Sequence, residues 1–366
     1  MTKKKNDITI LAVGDSVDFD SYKKLEKERQ FINHQGFDYR TVEYEQFLEG
    51  ELPKIDTEKV IVFFFFPFVY WDKNIEHKRY RGVYGNNTFY KKFNHFSERL
   101  ANIVRDSLWN KQILFVNNPL LSAFYRDKMV VINVLLKKGV PIPRLFKERH
   151  PKDINSYLEK GYKFFIKPRC GSMGKGITFL QLGDWQTNFK IREKKIISRK
   201  SDYGWKFRDV TGNSTFLSNL LKNNVFMEES IEPLNIKGDK VDFRVYTFFD
   251  KVLYIYPRRN HIDAITTNIS QGGRGDPSIL EFVPDKLLSK IGKTALKTTK
   301  ALKLNFTGLD VVVDSSLKGI YVVDVNMFPG FPKRKTFNLA RSMAKELGRL
   351  RRKGALYFEK AADIKL

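Results

Sequence analysis

The run Gly308–Pro332, GLDVVVDSSLKGIYVVDVNMFPGFP, is the narrowest constraint on this chain. Two Val- and Ile-rich segments flank a polar turn, which predicts strands at Thr307–Val313 and Gly319–Val325. Asp310 heads the first strand, while Asp324 and Asn326 sit two apart on the second and share a face. A carboxylate set among Val and Ile is costly unless a cation or a hydrogen bond compensates it. Two carboxylates and an amide oxygen are hard ligands of the kind Mg²⁺ accepts beside nucleotide phosphates. The plainer reading of the same residues is a pair of acids at exposed hairpin ends.

Two further stretches carry chemistry. In KPRCGSMGKGI, Lys167–Ile177, a strand delivers a lysine, and Gly171, Gly174 and Gly176 punctuate a small polar loop. Glycines let backbone N–H groups wrap a phosphate while the lysine supplies a point charge. The spacing is not that of a Walker loop, and a Gly-rich hairpin with an exposed lysine would look the same. In VDFRVYTFF, Asp242 and Arg244 alternate with apolar neighbours and share a strand face. YPRRN then places Arg258 and Arg259 at a strand end, and ITTNISQGGRG makes a polar turn around Thr267 and Asn268. Arginine and asparagine around a transferred phosphoryl group act as electrostatic catalysts.

The rest of the chain supplies the frame. Short apolar runs at Ile8–Gly14, Phe37–Tyr44, Lys59–Phe66 and Gln112–Val116 alternate with helical periods at Tyr22–His34 and Phe93–Leu108, which argues for a parallel α/β sheet. Trp71–Tyr90 has no clean period and reads as a long loop or hairpin tipped at Asn86–Asn87. Helices are expected at Pro119–Tyr125, Asp127–Lys138, Pro284–Leu302 and Phe337–Arg351. Between them the pattern predicts strands at Lys163–Pro168, Ile177–Leu182, Val225–Glu229, Phe243–Phe249 and Val252–Tyr256. The apolar run Val60–Tyr70 is interrupted by Pro67 and falls short of the roughly 20 residues a membrane helix needs. No secretory signal is legible, so a cytoplasmic chain without a membrane span is expected. The single cysteine, Cys170, excludes an intrachain disulfide framework and a Cys-cluster zinc site. A net charge of +25 favours anionic partners.

Taken in order, the lysine, glycine loop, acidic hinge, Asp-x-Arg, Arg–Arg, Thr–Asn turn and Asp…Asp-x-Asn resemble the ATP-grasp superfamily. The likeness, over about Leu121–Pro332, is nearest the RimK-like carboxylate–amine ligases, with tubulin–tyrosine ligases more distant. It implies an α/β, ATP-grasp fold with an N-terminal parallel pre-ATP-grasp domain at 1–118. A central lobe at 119–225 would carry the glycine loop and a basic insertion, and a C-terminal lobe at 226–366 the metal site and a basic helix. It implies ATP and Mg²⁺ as cofactors, with Mn²⁺ as a substitute. Lys128, in RDKM, and Lys167 match the two phosphate-holding lysines. Gly171, Ser172, Met173, Gly174, Lys175 and Gly176 match the loop that covers the phosphates. Glu229 and Ser230, or Glu228 one residue earlier, match the hinge whose backbone reads the adenine edge. Asp242 falls on the ribose contact, and Thr267 and Asn268 on the nucleotide-side turn. Lys167, Arg258, Arg259 and Asn268 are the implied catalytic group, and Asp310, Asp324 and Asn326 the metal trio.

The implied reaction is phosphorylation of a carboxylate, then capture of the acyl-phosphate by an amine, giving an amide, ADP and phosphate. One departure concerns the acceptor: Asp324 stands where the ligases usually carry Glu, and VVDVNMFPGFP is similar to the ATP-grasp inositol polyphosphate kinases. A kinase acting on a polyol or inositol phosphate is therefore the alternative. The windows Lys190–Asp209 and Lys333–Lys353 carry net charges of +5 and +8. Both are expected to line an approach for an anionic substrate, an acidic peptide or a phosphorylated small molecule. A catalytically retired scaffold that binds nucleic acid through Trp71–Tyr90 and Tyr203–Phe207 is the second alternative. It is not favoured, because the lysines and acids are all retained.

Overall fold

The computed structural model describes residues 7–16, 20–76, 83–192, 195–197 and 205–364. Its first sheet is built on Ile8–Gly14, every residue of which is buried. Phe37–Glu43 and Lys59–Phe64 flank it in parallel, and Gln112–Phe115 joins in parallel beyond the latter. On Lys59–Phe64, Val60, Val62 and Phe64 enter the core on one face, and Ile61 and Phe63 enter the core on the other. That double burial explains why the run shows no polar alternation. Glu359–Lys360 returns from far along the chain to pair antiparallel with Gln112–Ile113 at the edge.

Two expectations fail in this part, each for a tertiary reason. The helix expected at Tyr22–His34 is two helices, Asp20–Glu26 and Arg29–His34. The break falls at Glu28, whose buried carboxylate accepts from Asn338 Nδ2 at 2.8 Å and pairs with Arg334 at 2.9 Å. In Trp71–Tyr90, Asn86–Asn87 is a helix start and not a hairpin tip. Trp71–Ile75 is a π-helical turn, and Asn86 caps the helix Asn87–Ser107 by accepting from the Thr88 N–H at 2.9 Å. Asparagine serves turns and helix caps alike, so composition does not separate the two. Residues 77–82 of this stretch lie outside the described residues.

A second, antiparallel sheet runs in the order Arg208–Asp209, Asp184–Thr187, Thr178–Gln181, Phe164–Pro168, Val225–Glu229, Leu145–Phe146. The third, also antiparallel, runs Arg274–Gly275, Lys251–His261, Asp239–Phe248, Phe306–Val313, Ile320–Asn326. The helices Lys128–Lys137 and Asp285–Ala301 lay Val131, Leu135, Ile291 and Ala295 into its core. Asn117 clamps the first sheet to the third. Its side-chain NH₂ donates to the Phe306 and Met327 carbonyls at 2.7 and 3.1 Å, and its oxygen accepts from the Asn305 and Phe306 N–H groups, both at 3.0 Å. A buried amide satisfied on both ends fixes one relative placement of the parts it joins. Among the described residues no helix is long and apolar enough to cross a membrane.

Candidate active site

A cavity of about 530 Å³ opens between the second and third sheets, a size typical of small-ligand clefts. Lys167 enters from the strand Phe164–Pro168. Its cross-strand partner is Phe226, so Glu228, two residues on, shares its face and binds its ammonium. Glu228 was expected, as a hinge slip, to read a base with its backbone. Its side chain is a buried counter-ion. Burial alone would lower the Lys167 pKa, but Glu228, Asp324 and Asp310 outweigh it and hold the group above its ordinary value.

Opposite, Asp310 and Asp324 are register partners on adjacent strands. Asp324 binds the Lys128 ammonium. Burial opposes its ionisation, yet Lys128, Lys167 and Arg244 keep its pKa below the usual carboxylate range. Asp310 accepts from Arg244 Nε at 2.5 Å and lies 3.2 Å from an Arg258 nitrogen. Arg258 is buried and grips Asp242 with Nε at 2.8 Å and a second nitrogen, and Asp242, the expected ribose contact, lines the cavity as half of this ion pair. Desolvation works against the Arg258 charge, but Asp242 and Asp310 raise its pKa further still. Arg244 belongs to this cluster although it was not among the candidate residues. Its signal was present in the Asp-x-Arg alternation.

Several expected residues are placed elsewhere. Arg259, next to Arg258 and so on the opposite strand face, pairs with Asp239 at 3.0 Å and Asp276 at 2.9 Å and does not line the cavity. Asn326 does not line it either, and donates to the Gly308 carbonyl at 3.1 Å. The N–H groups of Glu229 and Ser230 already donate to the Arg144 and Lys163 carbonyls, both at 2.8 Å. A base edge therefore cannot take those two donors without breaking the sheet. Gly171, Ser172, Met173, Gly174 and Lys175 line the cavity, whereas Gly176 packs behind them. A Cβ at Gly176 would stand 2.7 Å from both Phe189 and Pro168 side-chain carbons. The Lys175 ammonium turns away to Glu76 at 3.0 Å. Thr267 and Asn268 line the wall below the loop, and Ser270 Oγ donates to the Met173 carbonyl at 2.9 Å.

No described residue of Lys190–Asp209 or of Lys333–Lys353 lines the cavity, and part of the first window lies outside the described residues. The terminal helix Leu339–Arg352 packs on the first sheet through Leu339, Met343 and Leu347, and its arginines pair with Glu28, Asp250 and Asp7. Amphipathic burial, not substrate approach, explains that placement. The cavity wall itself mixes Lys163 and Lys240 with Asp184, Glu232 and Asp263. Cys170 is buried, and burial pushes its thiol up to about 12, which removes it as a nucleophile.

The donor set fits a magnesium ion. Two carboxylates sit in register at the floor, each paired with a cationic side chain that a bound divalent ion would displace. Among the described residues no three His, Cys, Asp or Glu converge, so the protein offers carboxylates in pairs. Mg²⁺ is commonly held by one or two carboxylates with phosphates and water completing the shell.

Comparison with known proteins agrees with this geometry. A "Probable alpha-L-glutamate ligase" of Pseudoalteromonas translucida is 25% identical over 217 residues, 59% of this chain and 60% of that protein. One of Shewanella loihica is 26% identical with the same coverage. The chain thus spans about 60% of the length of these curated relatives. In fold, it resembles the ATP-grasp ligase PsnB complexed with precursor peptide PsnA2 and AMPPNP, with a TM-score of 0.54 and 15% identity. That likeness covers 95% of this chain and 98% of PsnB. Residues 117–351, the span holding both cavity-forming sheets, match the family described as YheC/D like ATP-grasp. The chain belongs to the YheC/D-like ATP-grasp family, and its fold is an ATP-grasp fold.

Proposed function

We propose that this chain is an ATP-dependent ligase that joins a carboxylate to an amine and releases ADP and phosphate. The observation that carries the reading is the convergence of Lys128, Lys167, Arg258, Asp310 and Asp324 on one cavity under a glycine loop. Lys128 and Lys167 both line the cavity and hold the nucleotide phosphates. The backbone of Gly171–Gly174 covers them, and Thr267 and Asn268 orient the chain of phosphates from below. With the Glu229 and Ser230 donors already engaged, the base edge is met at Ile231, which lines the cavity one residue on. Asp310 and Asp324 would hold Mg²⁺, or Mn²⁺ in its place, which when bound supplies charge neutralisation at the phosphoryl group.

Arg258 is fixed by Asp242, so its guanidinium is aimed before substrate arrives, and preorganised charge of this kind lowers a phosphoryl-transfer barrier. A substrate carboxylate oxygen attacks the γ-phosphorus, the bond to the β-phosphate oxygen breaks, and ADP departs. The amine then attacks the acyl carbon, inorganic phosphate leaves with the bonding pair, and the amine proton passes to solvent. No side-chain nucleophile takes part. The substrate pair we propose is an acidic peptide with a small amine, or an amino acid added to such a peptide. The glutamate-ligase names of the relatives and the peptide in the PsnB complex support that choice.

Phosphorus NMR of Mg–ATP with pooled acidic peptides, amino acids and inositol phosphates tests the reading. Free phosphate appearing with ADP only when carboxylate and amine are both supplied is the expected result. ADP with a new phosphoester resonance would replace the ligase by a kinase. No turnover together with no nucleotide binding would reject both.

A further inference from the structure

Resting on the nucleotide-site reading above, we infer that the Trp71–Glu76 turn positions the glycine loop through a buried Glu76–Lys175 ion pair. Lys175 lies in the middle of the glycine-loop sequence, yet it is 2% exposed and its ammonium sits 3.0 and 3.4 Å from the two Glu76 carboxylate oxygens. Glu76 is itself buried, and the Trp71 indole N–H donates to its Oε2 at 2.9 Å. The Lys175 ammonium also stands 4.9 Å from the centre of the Tyr84 ring. A lysine that leaves the solvent to pair at a site away from the phosphate floor does not act as a phosphate contact. It acts as an anchor.

Contacts on either side of the anchor point the same way. Tyr84 OH is 2.9 Å from Ser172 Oγ, and Arg126, stacked on Trp71 at 4.6 Å, donates to the same oxygen at 3.1 Å. The Cys170 N–H donates to the Gly85 carbonyl at 3.2 Å. Gly85 has φ of +72°, and a Cβ there would meet the Gly171 nitrogen and the Pro168 Cβ at 2.8 Å each. Two short segments of the N-terminal part thus touch the loop at Cys170, Gly171, Ser172 and Lys175. On the other flank Asn188 donates to the Gly174 carbonyl at 2.7 Å. The loop matched to the one that covers the phosphates is therefore tied to an element outside both cavity-forming sheets. Nucleotide binding and the conformation of Trp71–Glu76 are coupled, and the coupling is reciprocal.

The test compares wild type with Glu76→Gln and with the paired apolar variant Glu76→Leu/Lys175→Met. The second removes both charges of the pair and retains packing, whereas the first removes only the carboxylate charge. Melting temperature reports folding. Calorimetry with Mg–AMPPNP and backbone hydrogen exchange report the loop. In the folded apolar variant, nucleotide binding should weaken by about three- to tenfold, a magnitude typical of coupling through a positioning contact. Exchange at 171–176 should rise while the strand Val225–Glu229 stays protected. In wild type, Mg–AMPPNP should slow exchange in Trp71–Glu76. Wild-type affinity with unchanged loop exchange in the apolar variant would overturn the inference and leave the nucleotide site intact. A wild-type chain that binds no Mg–AMPPNP would reject the site reading itself.

Discussion

At the scale of single residues, the account depends on how charges are compensated. Arg258 neutralises two buried carboxylates, Asp242 and Asp310, whereas its neighbour Arg259 serves Asp239 and Asp276 nearer the surface. Removing one partner from a buried cluster leaves uncompensated charge, so Arg258→Met should lose about 3–5 kcal/mol in urea unfolding together with its turnover. Arg259→Met should lose about 1 kcal/mol or less and keep nucleotide turnover. The YPRRN motif named both arginines, and only strand alternation, applied with the right register, separates them. Asp324 gives a pH test with a definite sign. Its folded pKa is depressed, so its stabilising contribution is complete above the ordinary carboxylate value near ~4 and is lost as pH falls through the lower folded value. The urea midpoint gap between wild type and Asp324→Asn should stay constant from neutrality down to about pH 5 and close below about pH 4. A gap that persists at the acid end would remove the Lys128–Asp324 pair as its source. The same substitution should lower turnover by about 10²-fold or more, since it halves the carboxylate pair.

At the scale of elements, what was legible follows the periodicity and what was not follows partners distant in sequence. The buried strands Ile8–Gly14, Lys59–Phe64, Val225–Glu229 and Phe306–Val313 announce themselves as apolar runs with turn residues at their ends. The π-helical turn Trp71–Ile75 has no period to announce it, and its conformation is supported by Glu76, Arg126 and the glycine loop. Pro151–Glu159, a short helix capped by His150, was not foreseen, because Ile154 and Leu158 are too few to make a stripe. The reassignment of Asn86 can be tested directly. If its side chain caps Asn87–Ser107, then Asn86→Ala should lose about 1 kcal/mol in chemical denaturation, and Asn86→Asp should retain most of the stability. Equal losses in both variants would contradict the cap.

At the scale of the whole molecule, charge and site are separate. Among the described residues most of the basic side chains that suggested an anionic substrate lie outside the cavity, and the terminal helix pairs Arg341 with Glu28, between the two N-terminal helices, and Arg351 with Asp7, just before the first strand. Net charge reports the surface, and only the spatial arrangement reports the site. The order of motifs was sufficient to place the two lysines, the glycine loop and the acid pair around one space. The contributions of Glu228 and Glu76 as counter-ions emerge only from three-dimensional neighbours, since each acts by pairing with a residue far along the chain. The central claim is that this space is a Mg–nucleotide site floored by Asp310 and Asp324 and walled by Lys167. The most direct measurement is calorimetric titration of Mg–AMPPNP into wild type and into Lys167→Met, with the fold of each checked by thermal melting. The account predicts one nucleotide bound per wild-type chain, dependent on magnesium, and no measurable binding by the folded Lys167→Met chain. Undiminished binding in that variant, or none in wild type, would contradict it.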